Sequence, residues 1–275
     1  MKEKIKLLLG RILLVFNRKE AAALAKNGMT ISWNNELTFK ERLLRHALLK
    51  NAERDGNFDQ LAGFHHDYWK KQGGNYFSRV ENILQDFFKP KCEFVFDQLI
   101  EILEAEPREF NVLVEIGTGN GDVLNYLSKK MVDLERCVGI DLSEEQTIKN
   151  IQKYSDNSKL EFVAADALGW IKEYATDEMI FFTSRGVLEY FTQNQMIDLL
   201  THLNTLQATV FIAIEPIGDE IDFIKNPNSQ TYGSERSFSH NYTKLFTDAG
   251  FKIWHNSTIP CPDLTWDFEI IGAKH

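Results

Sequence analysis

From residue 112 onward the chain alternates short, continuous apolar runs with segments whose apolar residues recur every three or four positions. That alternation predicts strands buried on both faces and separated by helices. Val112, Leu113, Val114 and Ile116 form the first run, and CVGI, LEFVA, MIFF and ATVFIAI, beginning at residues 137, 160, 179 and 208, form the next four. Helical spacing follows the first run at Val123, Leu124 and Leu127, and HNYTKLFTDAGF reads as a helix closed by Gly250. FKIWHN and WDFEIIGAK then follow as a sixth and a seventh strand with no helix between them.

The first 106 residues are patterned differently. Residues 36–106 read as three or four helices, of which ELTFKERLLRHALLKNAE and CEFVFDQLIEILEAE are the clearest. Two parts are therefore expected: a helical N-terminal extension over 1–106 and an α/β domain over 107–275. The extension opens on IKLLLGRILLVF, too short to span a bilayer and interrupted by Arg11. As a helix it places Ile5, Leu8, Leu9, Ile12 and Phe16 on one face, with Lys4, Arg11 and Arg18 toward the other. This pattern suits peripheral contact with a membrane surface, or docking on the protein's own core or on a second subunit.

The first strand breaks into a glycine-rich turn, VEIGTGNG, with Glu115 ahead of glycines at 117, 119 and 121. Glycines there permit positive φ and close approach of the backbone to a ligand, and the helix that follows turns its N-terminus toward that ligand. A dinucleotide fingerprint requires G-x-G-x-x-G. Here the place of its third glycine is taken by Asp122, whose charge would repel a pyrophosphate.

The acid-x-Gly-x-Gly-x-Gly string instead resembles motif I of the class I S-adenosylmethionine-dependent methyltransferases. CVGIDLS ends the second strand in Asp141, and the resemblance implies that this carboxylate accepts the ribose hydroxyls, with Leu142 beside it. FVAADAL is similar to the family's adenine-binding motif, in which Asp166 would accept from the adenine amino group and the Ala167 amide would donate to a ring nitrogen. FFTSRGVLEYF resembles its fourth-strand motif, with Ser184 and Arg185 at the mouth of the site. The bland alternatives are a helix N-cap for Asp166 and a solvated charge for Asp141. The cofactor implied is S-adenosylmethionine, held by Glu115, Gly117, Thr118, Gly119, Asp141, Leu142, Asp166, Ala167 and Ser184. Its sulfonium and ammonium make carboxylates near the turn favourable.

The resemblance covers residues 111–275. It implies an α/β fold, a Rossmann-like, seven-stranded, mostly parallel sheet with a C-terminal antiparallel hairpin, to which the helical N-terminal extension is added. Members of the family often close an N-terminal helical segment over the cofactor. GFHHDYWKKQGGNYFSR, with Gly73 and Gly74 as its hinge, is thus the candidate lid, and ordinary packing of Tyr68, Trp69 and Phe77 is its alternative.

Charge narrows the partners. The chain carries a net −9, but residues 1–50 carry +7, which leaves −16 on the rest. An acidic catalytic part repels phosphate backbones and argues against nucleic acid as a substrate. Three dispersed cysteines, Cys92, Cys137 and Cys261, suit a reducing cytoplasm, and a lipid-binding N-terminal helix would place the protein at the inner membrane surface.

A hydroxyl acceptor must lose its proton as it receives a methyl group, so a general base is expected. His240 in SFSHNY and Glu189 beyond the fourth strand are the candidates, with Glu215, His65 and His66 as further ones. Residues 216–238 read as a long polar connection, in which Asp219, Glu220 and Asp222 are taken as solvated acids rather than a metal site. Tyr126 and Lys130 reproduce a spacing used by short-chain dehydrogenases, on the wrong element for that role. The expected function is methyl transfer to a small-molecule or sugar- or lipid-linked acceptor, with oxygen favoured. A nicotinamide-dependent (NAD) oxidoreductase and a non-catalytic methyltransferase-like scaffold are the alternatives.

Overall fold

The computed structural model describes residues 2–27, 29, 37–77 and 82–275. In chain order the strands are β1 (Val112–Ile116), β2 (Arg136–Asp141), β3 (Leu160–Ala164), β4 (Met179–Phe182), β5 (Thr209–Gly218), β6 (Gln230–Tyr232), β7 (Ser237–Ser239), β8 (Lys252–Ile259) and β9 (Trp266–Lys274). Seven of them form one sheet in the order β3-β2-β1-β4-β5-β9-β8. The first five run parallel, while β9 pairs antiparallel with both β5 and β8. This is the Rossmann-like methyltransferase arrangement with its terminal antiparallel hairpin.

The helices are α1 (Lys2–Phe16), α2 (Arg18–Lys26), α3 (Phe39–Arg54), α4 (Phe58–Phe77), the single turn α5 (Lys89–Lys91), α6 (Glu93–Glu104), α7 (Asp122–Lys130), α8 (Glu144–Lys153), α9 (Ala167–Tyr174), α10 (Gln193–Asn204) and α11 (Tyr242–Asp248). Period-two alternation along the strands feeds two cores. Val114, Ile116, Phe181 and Phe211 pack with α9, α10 and α11, whereas Leu113, Cys137, Ile180, Phe182 and Ile212 pack with α6 and α7. Val95, Phe96 and Leu99 of α6 are fully buried in the second of these cores. Tyr126 and Lys130 both reach Glu93, and Lys130 lies 2.6 Å from Asp97, so that pair fastens α7 to α6. Helices α2, α3 and α4 share a smaller core, built on Leu24, Leu44, Leu49, Leu61 and Phe64, into which Phe238 of β7 inserts.

Two expectations change. Residues 216–238 are not a featureless connection, since β5 continues to Gly218 and β6 and β7 form a second, two-stranded sheet. Its anchor is distant in sequence: Arg236 pairs with Glu53 of α3, and Thr231 Oγ1 donates to Glu53 at 2.7 Å. Within that segment Asp222 accepts the amides of Ile224 and Lys225 at 3.1 Å, a local turn contact. The second correction concerns Gly73 and Gly74, which lie inside α4 rather than at a hinge. A Cβ on Gly73 would stand 3.1 Å from Ser143 Cβ, and one on Gly74 would stand 2.9 Å from the Glu145 carboxyl carbon. The glycines let α4 rest directly on the start of α8. Residues 78 and 79 of the candidate lid, and the Phe77 side chain, lie outside the described residues.

Candidate active site

A cavity of about 750 Å³ opens at the carboxyl ends of β1, β2 and β4, roofed by α4 and walled by the β6–β7 hairpin. That volume suits a drug-sized ligand, and the carboxyl ends of the strands are where open α/β sheets bind one. The turn after β1 forms its floor. Gly117, Gly119 and Gly121 have φ of 68°, 53° and 73°, a region that L side chains avoid. Glu115 is wholly buried beneath the turn rather than on the cavity wall, and Thr118 Oγ1 donates to its Oε2 at 2.7 Å. Burial pushes the Glu115 carboxyl up to about 8.

Asp141 ties two elements together. Its Oδ2 accepts the Gly119 amide at 3.0 Å and its Oδ1 accepts the Ser143 amide at 2.9 Å. Each carboxylate oxygen has a second lone pair, so Asp141, which lines the cavity, keeps acceptor capacity for a ligand. Asn150 donates to the Gly119 carbonyl at 2.7 Å and steadies the turn from below. Asp122 behaves otherwise than its sequence position suggests. Its carboxylate takes the Tyr154 hydroxyl at 2.6 Å and pairs with Lys153 at 2.7 Å, which weakens the repulsion expected of it toward a pyrophosphate.

Leu142, Asp166, Ala167 and Ser184 also line the cavity. Asp166 caps α9 by accepting the Gly169 amide at 3.0 Å, and its Oδ2 lies 3.9 Å from His66 Nε2 of α4. The capping role and the cavity position therefore coincide.

The opposite wall is built on the short 3₁₀ turn Leu188–Tyr190. Glu215, fully buried, grips this turn by accepting the amides of Val187 at 2.9 Å, Leu188 at 3.0 Å and Glu189 at 3.3 Å. His240 holds it from another side, with Nε2 3.0 Å from the Leu188 carbonyl and Nδ1 2.6 Å from the Ser229 hydroxyl. Burial pulls His240 down to about 4, so the ring is neutral at physiological pH. The carbonyl requires Nε2–H as donor, which leaves Nδ1 to accept from Ser229. Neither His240 nor Glu215 lines the cavity, and burial pushes the Glu215 carboxyl up to about 8. His65 is also buried and off the cavity wall, its ring centroid 5.0 Å from that of Tyr190.

Glu189 does line the cavity. Tyr232 donates to its Oε2 at 2.5 Å, and the Tyr190 and Ser237 hydroxyls also bond to it, yet burial dominates and raises its pKa. Glu235, at the tip of the β6–β7 hairpin, is a second cavity carboxyl that also bonds the Tyr190 hydroxyl, and burial pushes it up to about 8. Glu235, Tyr190 and Tyr232 are cavity residues to which no sequence motif assigns a role. The Glu-Tyr pair at 189–190, seven residues past the end of β4, is the local sequence signal for Tyr190.

Residues 113–207 match the family model of a methyltransferase domain. The chain carries a methyltransferase domain. Among solved structures, the magnesium protoporphyrin IX methyltransferase of Synechocystis PCC 6803 is similar in its S-adenosylhomocysteine and S-adenosylmethionine complexes, each with a TM-score of 0.52 and 16% identity. The alignments cover 76% of this chain and 97% and 94% of the other. The N-methyltransferase NodS of Bradyrhizobium japonicum WM9, in complex with S-adenosylhomocysteine, aligns at 14% identity over 75% of this chain and 98% of its own, with a TM-score of 0.49. No curated protein sequence matches the chain. The methyltransferase domain thus shares the class I S-adenosylmethionine-dependent fold, whose cofactor can be tested against the cavity. The cavity suits it: a glycine floor, a strand-end carboxylate with acceptor capacity, and acidic rather than basic surroundings for a cationic group.

Proposed function

We propose that this methyltransferase acts on a small-molecule acceptor at oxygen, with Glu189 as the general base. The observation that carries the reading is Glu189 itself, a cavity-wall carboxylate whose pKa is raised by burial while the Tyr232 hydroxyl fixes its orientation. A carboxylate shifted toward neutrality is better matched to accepting a hydroxyl proton than an ordinary one. Asp141 would take the ribose hydroxyls and Asp166 the adenine amino group, with Ala167, Leu142 and Ser184 beside them and the backbone of Gly117, Thr118 and Gly119 along the methionine portion. Glu115 would act from beneath by holding Thr118.

S-adenosylmethionine supplies an electrophilic methyl group on a sulfonium. The protein's part is to hold the acceptor in line with it, to keep water out beneath α4, and to receive one proton at Glu189. His240, neutral and engaged at both ring nitrogens, is in this reading the support of the turn that presents Glu189.

A second reading has its own observation. Two carboxylates, Glu189 and Glu235, share a wall with the rings of Trp69, Tyr76 and Tyr190, and that combination also suits an amine acceptor bound as its ammonium. Incubating the enzyme with S-adenosylmethionine and a metabolite extract, then identifying by mass spectrometry and fragmentation which compound gains a methyl and on which atom, separates the two. Tighter binding of NAD than of S-adenosylhomocysteine would overturn both.

A further inference from the structure

Helix α1 is apolar on two opposed faces, and only one is packed among the described residues. Gly10 brings it against α3, where an added Cβ would fall 2.3 Å from the Leu43 carbonyl oxygen and 2.8 Å from Ala47 Cβ, and Leu13 and Leu14 join the small helical core. The other face carries Ile5, Leu8, Leu9, Ile12, Val15 and Phe16, all exposed, with Leu8 and Val15 at 60% and Phe16 at 81%. At 3.6 residues per turn these six occupy about a third of the circumference, a continuous apolar strip along the whole helix. No helix among the described residues is long and apolar enough to cross a membrane.

Charge says what such a strip would meet. Lys4 and Arg11 border it on the helix, and Arg18 and Lys19 follow its C-terminal end. Lys4, Arg18 and Lys19 are exposed and make no ion pair among the described residues. They belong to the first fifty residues, whose net charge is +7 against −16 for the remainder. A second copy seated on the strip through a twofold axis would bring these cations against their own counterparts. An anionic lipid surface would instead meet complementary charge around an apolar stripe, the pattern of a helix lying in the interface plane.

We propose that the exposed face of α1 docks the enzyme on anionic membrane surfaces, with Ile5, Leu8, Ile12 and Phe16 entering the interface and Lys4, Arg18 and Lys19 facing the headgroups. The face lies on the N-terminal helical core rather than at the cavity, so docking leaves the cofactor site unchanged. An acceptor dissolved in or tethered to the bilayer would then be concentrated where the enzyme is held.

The test uses the full chain with phosphatidylcholine vesicles prepared with and without phosphatidylglycerol. Co-sedimentation should occur with the anionic vesicles, weaken as salt is added, and be lost in the Ile12→Glu/Phe16→Glu variant. Both positions are exposed, so the variant should keep the wild-type melting temperature and S-adenosylhomocysteine affinity, which separates failure of docking from failure of the active-site reading. No binding by the intact chain, equal binding to neutral vesicles, or binding that survives in the variant would each overturn the proposal. So would a wild-type dimer that the same variant converts to a monomer without any vesicle binding, since the strip would then be a subunit contact.

Discussion

Asp141 Oδ2 accepts the Gly119 amide at 3.0 Å, so the acid that ends β2 fixes the glycine turn that ends β1. Because its other oxygen holds the Ser143 amide ahead of α8, one carboxylate shapes both edges of the cavity floor. Replacing it by alanine should therefore act twice, removing a ligand contact and releasing two amides. Loss of a hydrogen bond to a charged group costs about 1.5 to 3 kcal/mol, so Asp141→Ala should weaken S-adenosylhomocysteine binding roughly tenfold to a hundredfold in calorimetry. The melting temperature should fall as well. An unchanged affinity would remove Asp141 from the cofactor site.

Glu189→Gln isolates the proposed base. The amide keeps the size of the side chain and can still accept from Tyr232, so the cavity should be preserved. With general-base contributions of about 10² to 10⁴, turnover should drop within that range while S-adenosylhomocysteine affinity stays within a few-fold of wild type. Burial raises the Glu189 pKa, so the acidic limb of the wild-type rate profile should lie above the ordinary carboxylate range and vanish in the variant. Full turnover in Glu189→Gln would return the search for a base to Glu235 and His66.

The seating of α4 over the cavity can be tested through its glycines. A side chain at Gly73 must displace Ser143, 3.1 Å from its Cβ position, whereas a Cβ at Gly63, two to three turns earlier on the same helix, meets nothing within 4 Å. Gly73→Val should therefore lift the C-terminal part of α4 from α8, with faster amide exchange there and weaker cofactor binding. Gly63→Ala should leave exchange unchanged and stabilise the chain by about 0.5 to 1 kcal/mol, because alanine is the better helix former. Equal behaviour of the two variants would show that the close approach at Gly73 has no bearing on the cavity.

What could be read from sequence followed from how local its cause is. The glycine turn and Asp141 declare themselves because a buried strand must be apolar and a turn with positive φ at 117, 119 and 121 must be glycine. The β6–β7 hairpin does not, since each strand has three residues and its anchor, Glu53 to Thr231, spans 178 positions. Glu235 is hidden for the same reason. Whether His240 faced cavity or core was equally hidden, because its partners, Ser229 and Leu188, lie 11 and 52 residues away. Gly73 and Gly74 suggest a hinge only until Ser143 and Glu145 are placed opposite them.

The buried, neutral state of His240 gives a prediction whose sign is fixed. Its pKa falls from 6.5 to about 4 on burial, so between those values the unfolded chain takes up a proton that the folded one refuses. Stability from this group is therefore complete above pH 6.5 and is lost as pH falls toward 4, by at most about 3 to 4 kcal/mol at 1.36 kcal/mol per unit. Glu215 and Glu235, pushed up to about 8, act in the opposite sense, destabilising the fold as pH rises from 4.5 toward 8. Comparing wild type with His240→Gln cancels their contribution, and the glutamine amide can still donate to the Leu188 carbonyl. The difference in urea-unfolding free energy between the two should grow with pH from 4 to 6.5 and stay level above. A flat difference, accompanied by loss of turnover at unchanged stability, would instead place the ring in the chemistry and return to it the proton assigned here to Glu189.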